Sequence, residues 1–367
     1  MLVSDYYRSA FSTRYGSNDM RVIWSESYKR SCWRELWLAH LAAQTQQGLA
    51  PQWAYDRVFN YLSALSDGSK AQAHLDAVVN LENTTRHDVV AELDVLRETT
   101  RVPYLHAGMT SSDVTDNIDV YRSMESMKLL MSRVKALSSG LHDAKKDMQG
   151  IWVDGYTHLQ KARPVSLGDR FACYAQEVFI AEIQMTTAMS TMRGKGVKGP
   201  VGNYGSMLEL GWTLEQAKAI EARVMSSLRL SCWPIASQTY PRIQDYTLLT
   251  SLATMAAALH KMAFDFRLMQ SPGFGRILEE DFGPGQVGSS AMPEKRNPIM
   301  AENICSLCRY ISVLPQVAWE NAANQGLERT LDDSANRRII LPEAFLAMDE
   351  ILIKAQVLIY GMSVHAC

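Results

Sequence analysis

Histidines and cations cluster beside the points where helices are expected to begin. Thr85-Arg-His-Asp88, Thr110-Ser-Ser-Asp113 and Ser166-Leu-Gly-Asp169 each fit Ser/Thr-x-x-Asp, a capping-box variant with Asp in place of Glu or Gln. Asn297-Pro298 reads as a fourth start, with Asn as N-cap and Pro as the first helical residue. Arg86 and His87 lie inside the first block, His158 and Gln160 precede the third, and Lys295 and Arg296 precede the fourth. A helix N-terminus presents unpaired N–H groups and a partial positive charge, so it can hold phosphate or carboxylate. A single such block is ordinary capping. Four of them, accompanied by imidazoles and cations, point to an anionic small molecule as ligand.

Net charge agrees with a local rather than a global anion site. Lys plus Arg number 37 against 39 Asp plus Glu, a balance of −2, so no bulk field draws in nucleic acid or a membrane surface. The N-terminal stretch has no charged segment followed by an apolar one, and no run of 18 apolar residues occurs, so neither a secretory signal nor a membrane span is expected. Cysteines at 32, 173, 232, 305, 308 and 367 are too irregular for a disulfide framework and fit a reducing, cytoplasmic setting.

The elements that must position these residues read as helices. No proline lies between Pro51 and Pro103, or between Pro103 and Pro164, which leaves room for long helices. Phe171, Tyr174, Val178, Ala181, Met185 and Ala188 step by three and four, as do Leu249, Leu252, Ala256, Leu259, Ala263 and Phe266. The second stripe predicts a helix over about 243–269, and another is predicted over about 342–360. No alternating strand or Asn-Gly hairpin signal is apparent. The expectation is an all-α protein built on a bundle of long helices. Residues 271–298 interrupt it with five Gly and four Pro, a long loop of the kind that carries function. Two further patterns are declined. Gly194-Lys-Gly-Val-Lys-Gly199 has the Gly-x-Gly-x-x-Gly spacing but follows a helix, so it is read as a connection and not a dinucleotide site. Cys305 and Cys308 form a lone pair one turn apart, read as buried thiols and not zinc ligands. His40, His74, His142, His260 and His365 are read as packing or surface residues, and Arg337 with Arg338, taken alone, as a solvated helix face.

The loop block Gly288-Ser-Ser-Ala-Met-Pro-Glu-Lys-Arg-Asn-Pro298 resembles the signature of the fumarase/aspartase superfamily, and the 110–117 and 155–160 blocks resemble two more of its segments in the same order. Within that superfamily the chain resembles the adenylosuccinate lyases, through Thr13-Arg-Tyr-Gly16, Arg86-His-Asp-Val-Val90, Ser237-Gln-Thr-Tyr240 and the 328–338 block. The resemblance covers essentially the whole chain. It implies an N-terminal helical domain over 1–109, a central bundle over 110–367 without the family's third small domain, and a homotetramer with each site assembled from three chains. It also implies β-elimination across a carbon–nitrogen bond, releasing fumarate, in two steps of purine biosynthesis.

Such an elimination needs a base for a carbon-bound proton, stabilisation of the developing carboxylate charge, and an acid for the departing nitrogen. The resemblance assigns the base to Ser289, assisted by Lys295, and the acid to His158, histidine being the side chain suited to proton exchange near neutral pH. It places His87 beside the substrate. The matched binding residues are Arg14, Tyr15, Arg86, Asp88, Thr110, Ser111, Gln238, Asn297, Arg329, Ser334 and Arg338. No metal or organic cofactor is implied. The chain departs from the family at Asn303, where a cation is usual, at Lys161 and Arg163, and in the 199–203 loop, which lacks the usual Thr residues. Two other readings are an argininosuccinate lyase-like enzyme and a structural or binding relative with impaired activity.

Overall fold

The computed structural model describes residues 7–365; Cys367 and the first six residues of the N-terminal stretch lie outside them. Five helices of 6 to 21 residues come first: α1 (Asn18–Ile23), α2 (Glu26–Gln46), α3 (Gln52–Ala64), α4 (Gly68–Thr85) and α5 (Asp88–Thr100). The long α6 (Ser111–Asp147) leads into a hairpin of β1 (Trp152–Thr157) and β2 (Gln160–Ser166), then α7 (Leu167–Thr191). Two smaller helices, α8 (Gly205–Glu209) and α9 (Leu214–Ser227), precede α10 (Ile243–Gln270). The irregular 271–298 segment holds the short strand β3 (Leu278–Glu279). The chain continues through α11 (Ile299–Ala323), α12 (Asp333–Gly361) and β4 (Ser363–Val364), which pairs with β3.

The core is a bundle of α6, α7, α10, α11 and α12, with α10 packed on α7, α11 and α12, and α6 on α7 and α12. Both expected apolar stripes face inward: Phe171 through Ala188 on α7 and Leu249 through Phe266 on α10 are all buried. On α10 further faces are covered too, at Leu248, Met255, Met262 and Met269, because a helix gripped on several sides needs apolar residues around most of its circumference. None of the helices among the described residues is long and apolar enough to cross a membrane.

Four expectations about elements need correction. Strands are present: β1 and β2 form an antiparallel hairpin whose two-residue turn is His158-Leu159. Both turn residues have positive φ, 53° and 59°, the requirement of the tight turns that match strand twist. Such turns usually show Asn or Gly, so His-Leu gave no signal, and a bulge between Asp154 and Tyr156 breaks the alternation. The start near residue 85 lies elsewhere. Thr85 ends α4, Arg86 adopts a left-handed cap, and His87 is the N-cap of α5, accepting from Val90 N through its ring. Asn297 is not an N-cap, since its amide donates to Gly288 O and Pro298 holds the cap position. Finally, α12 begins at Asp333 and carries Pro342 inside it, as α11 carries Pro315. Each proline forfeits one backbone bond, a loss that tertiary packing of a long helix offsets.

Candidate active site

At one end of the bundle, the starts of α5, α6 and α12 converge. The His87 ring bonds Val90 N through Nδ1, and its Nε2 lies 3.4 Å from Ser111 Oγ. Asp88 is buried and pairs with Arg338 at 3.0 Å. Burial alone would raise the Asp88 carboxyl, but Arg338 and Lys29 hold it below the usual carboxylate range. Thr110 caps α6, its backbone N–H donating to Asp113 at 2.9 Å. Asp88, Arg329, Ser334 and Arg338 share the lining of one open cleft. Gln238 reaches this rim through its backbone, donating to Glu328 O. Arg86 is exposed beside His87.

Beneath the cleft lies an ion network in which Arg337, read from sequence as solvated, is buried. Arg242 grips both oxygens of Asp116, at 3.0 and 3.1 Å, and donates from Nε to Asp333 at 2.6 Å. Arg337 donates to Asp245 at 2.7 Å and to the Tyr240 hydroxyl at 2.6 Å. Burial works against the Asp116 carboxylate, yet Arg242 and Arg337 outweigh it and keep its pKa below normal. Asp333 also accepts from Arg329 at 2.7 Å, so a rim guanidinium is oriented through a buried carboxylate. A lone Arg such as Arg242 gives no sequence signal of this role. Its partners lie 91 and 126 residues away.

The Gly-x-Gly-x-x-Gly segment is also absorbed into this end. Lys195 is fully buried against Asp113, whose carboxylate also accepts from Lys198 N and Gly199 N. Lys198 pairs with Glu221. These glycines allow close backbone approach to α6 and form no strand-to-helix phosphate loop.

The other candidate residues lie at the far end of α10. Ser289 Oγ accepts from Ala291 N at 3.3 Å and Met292 N at 3.4 Å. Its neighbourhood folds back on itself: Gly288 N donates to Pro293 O, and Asn297 Nδ2 to Gly288 O at 2.9 Å. Lys295 and Asn297 line a second cleft with Gln270, Glu279 and Glu302, and Lys295 has no ion-pair partner among the described residues. The hairpin bearing the exposed His158 docks at this same end, with Tyr156 on Phe274 at 4.8 Å and Arg170 donating to Asp154 O. Cβ of an alanine at 288 would overlap the Lys295 carbonyl oxygen. Gly288→Ala is therefore expected to disorder the Ser289 turn and lower kcat by about 100-fold, the scale of a 1 Å misplacement. Its melting temperature should stay near that of the parent, because the loop is exposed. Steady-state kinetics and a thermal melt check both.

These groups do not meet within one chain. Asp245, in the first network, and Gln270, beside the second cleft, are separated by about 37 Å of α10 at roughly 1.5 Å per residue. No hydrogen bond or ion pair among the described residues joins Ser289, His158 and His87. Arg14 and Tyr15 sit between the ends, against α12: Gly16 N bonds Glu350, and Lys354 lies 5.6 Å from the Tyr15 ring. Lys354 also donates to Asn303 at 2.7 Å, so a cation stands next to the neutral residue at 303.

Comparison with known proteins places this geometry. A family model described as "Lyase" matches residues 4–312. The chain is 34% identical over 354 residues to the adenylosuccinate lyase of Saccharomyces cerevisiae, covering 95% of this chain and 72% of the relative. It is 32% identical over 362 residues to that of Archaeoglobus fulgidus, covering 96% and 76%. Among solved structures, the fold matches 3-carboxy-cis,cis-muconate lactonizing enzyme from Pseudomonas putida with a TM-score of 0.84 at 21% identity, covering 98% of this chain and 78% of the other. A fumarate lyase from Mesorhizobium sp. BNC1 matches with a TM-score of 0.82 at 18% identity, covering 98% and 77%. With the long-helix bundle, the 288–298 loop and relatives 32–34% identical over at least 95% of this chain, the chain belongs to the adenylosuccinate lyase family.

Proposed function

We propose that this C–N lyase splits adenylosuccinate into AMP and fumarate, and acts likewise on the succinylated carboxamide intermediate of purine biosynthesis. Ser289 is the base. It removes a proton from the succinyl carbon next to a carboxylate, and the electron pair forms the fumarate double bond as the carbon–nitrogen bond breaks. His158 delivers a proton to the departing nitrogen. The observation that carries this reading is the Ser289 turn. Two backbone N–H groups point at Oγ, and Lys295, whose backbone packs against Gly288, has no ion-pair partner among the described residues. Both features favour an alkoxide over a neutral hydroxyl. The Asp88, Arg329, Ser334 and Arg338 cleft suits a polyanion, since guanidinium groups bind carboxylate and phosphate with two parallel bonds.

A site that needs both ends of α10 requires more than one chain, and we propose a homotetramer in which neighbouring subunits run past one another. Exposed apolar residues on the bundle support this: Phe179, Ile180 and Ile183 on α7, Val313 on α11 and Val357 on α12. Patches of this kind mark association surfaces. A cytoplasmic setting fits the free cysteines Cys32, Cys173, Cys232, Cys305 and Cys308.

The test is fumarate release measured spectrophotometrically with adenylosuccinate and, separately, argininosuccinate, alongside a mass measurement of the assembly. Turnover of the purine substrate alone, by a particle of four chains, is expected. Turnover of argininosuccinate alone would refute the substrate assignment.

A further inference from the structure

The loop that carries Ser289 is tied to the bundle by two buried side chains that no motif assigns. Residues 281–297 leave β3 and return to α11. Near the first root, Glu280 N donates to Gln270 Oε1 at 3.1 Å. Near the second, Gln270 Nε2 donates to Arg296 O at 3.1 Å. One amide at the last residue of α10 thus bonds both roots. Glu280 adds a second tie: its carboxylate accepts from Met300 N at 2.9 Å and Ala301 N at 2.7 Å. It caps α11 in place of Asn297, whose amide is committed to Gly288. Gln270 and Glu280 are 8% and 3% exposed, so water does not compete for these bonds.

Ser289 takes its position from the second root. Gly288 is fixed to Asn297 and Pro293, and Lys295 N to Met292 O, so 288–297 moves as one knot. Within 281–287, Gln286 and Gly283 bond each other, while Phe282 lies 5.0 Å from the Arg296 guanidinium, which also pairs with Glu279 at 3.4 Å, so the two roots meet again at Arg296. The height of the Ser289 turn is therefore referred to the bundle through Arg296, Gln270 and Glu280.

We propose that Gln270 and Glu280 are positioning residues that set the Ser289 turn for reaction. This rests on Ser289 acting as the base. Both would act on Ser289 through the roots of its loop, so losing either tie should lower kcat with little change in KM.

The experiment uses the full chain with Gln270→Met, and Gln270→Glu as a second, equally long variant that keeps the acceptor for Glu280 N but cannot donate to Arg296 O. Steady-state kinetics with adenylosuccinate are paired with backbone hydrogen exchange. The expected result is a fall in kcat of at least about 10-fold, within the range of a small misplacement, with KM nearly parental. Exchange should quicken in 281–297 while the middles of α10 and α11 stay protected. Parental kcat and parental loop exchange overturn the proposal. So does faster exchange throughout the bundle in both variants, which would reduce the residues to general stability. If Ser289→Ala is inactive while both Gln270 variants keep parental kcat, this proposal fails alone. If Ser289→Ala is active, the base assignment fails first, and the exchange result still reports on the tie.

Discussion

Replacing Ser289 with alanine is expected to lower kcat by about 10²–10⁴-fold, the usual worth of a positioned base. The substitution isolates chemistry from architecture. What the turn loses is two long bonds to Oγ, at 3.3 and 3.4 Å in an exposed segment, each worth about 1 kcal/mol or less. The ties that hold the loop, Asn297 to Gly288 and Gln270 to Arg296, do not involve the Ser289 side chain. Substrate affinity should survive, because the cations proposed to hold its phosphate and carboxylates lie elsewhere. Titration calorimetry with adenylosuccinate, made possible by the slow turnover, is expected to give a dissociation constant near the parental KM. Near-parental turnover would remove Ser289 from the role of base, and loss of binding would make it a substrate ligand instead.

Much of the fold was legible from spacing. The six-residue stripes on α7 and α10 predicted which faces are buried, since a 3.6-residue period over about five turns leaves little room for another structure. Proline was a poorer guide, because it marks a helix end only when packing does not carry the chain through it, and Pro315 and Pro342 both lie inside helices. The His158 hairpin was invisible for a local reason. Its turn demands positive φ at two residues with no visible preference for it, at a cost of about 1–2 kcal/mol each. That strain falls on the segment carrying the proposed acid, where surrounding structure must hold it.

The candidate residues were legible as blocks and not as a constellation. The 88, 329, 334 and 338 positions come together because α5 and α12 begin at one place, a tertiary fact with no sequence periodicity behind it. Arg337 looked like its neighbour Arg338, and one residue of helix rotation, about 100°, separates a buried network member from an exposed rim cation. Arg242, Gln270 and Glu280 each act through backbone or carboxylate partners that no motif records.

The separation along α10 leads to the second large effect, recovery of activity by mixing two dead proteins. His87 and Ser289 lie near opposite ends of a helix about 40 Å long, so any site using both must draw them from different chains. Ser289→Ala and His87→Ala proteins, each nearly inactive alone, are therefore expected to complement after joint unfolding and refolding. If subunits redistribute at random in an equimolar mixture, a site takes an intact residue at each position with a chance of one half. About a quarter of sites then become competent, and kcat per site in the mixture should approach about 25% of the parental value. A doubly substituted chain mixed with the parent gives a control, because there the intact residues arrive together on one polypeptide and the same arithmetic predicts the same quarter. Mixtures that stay at the level of the single variants, while the mass measurement proves that subunits have exchanged, would mean that each chain completes its own site. The chain would then have to bend its Ser289 loop across the length of the bundle, which the ties at Gln270 and Glu280 do not permit.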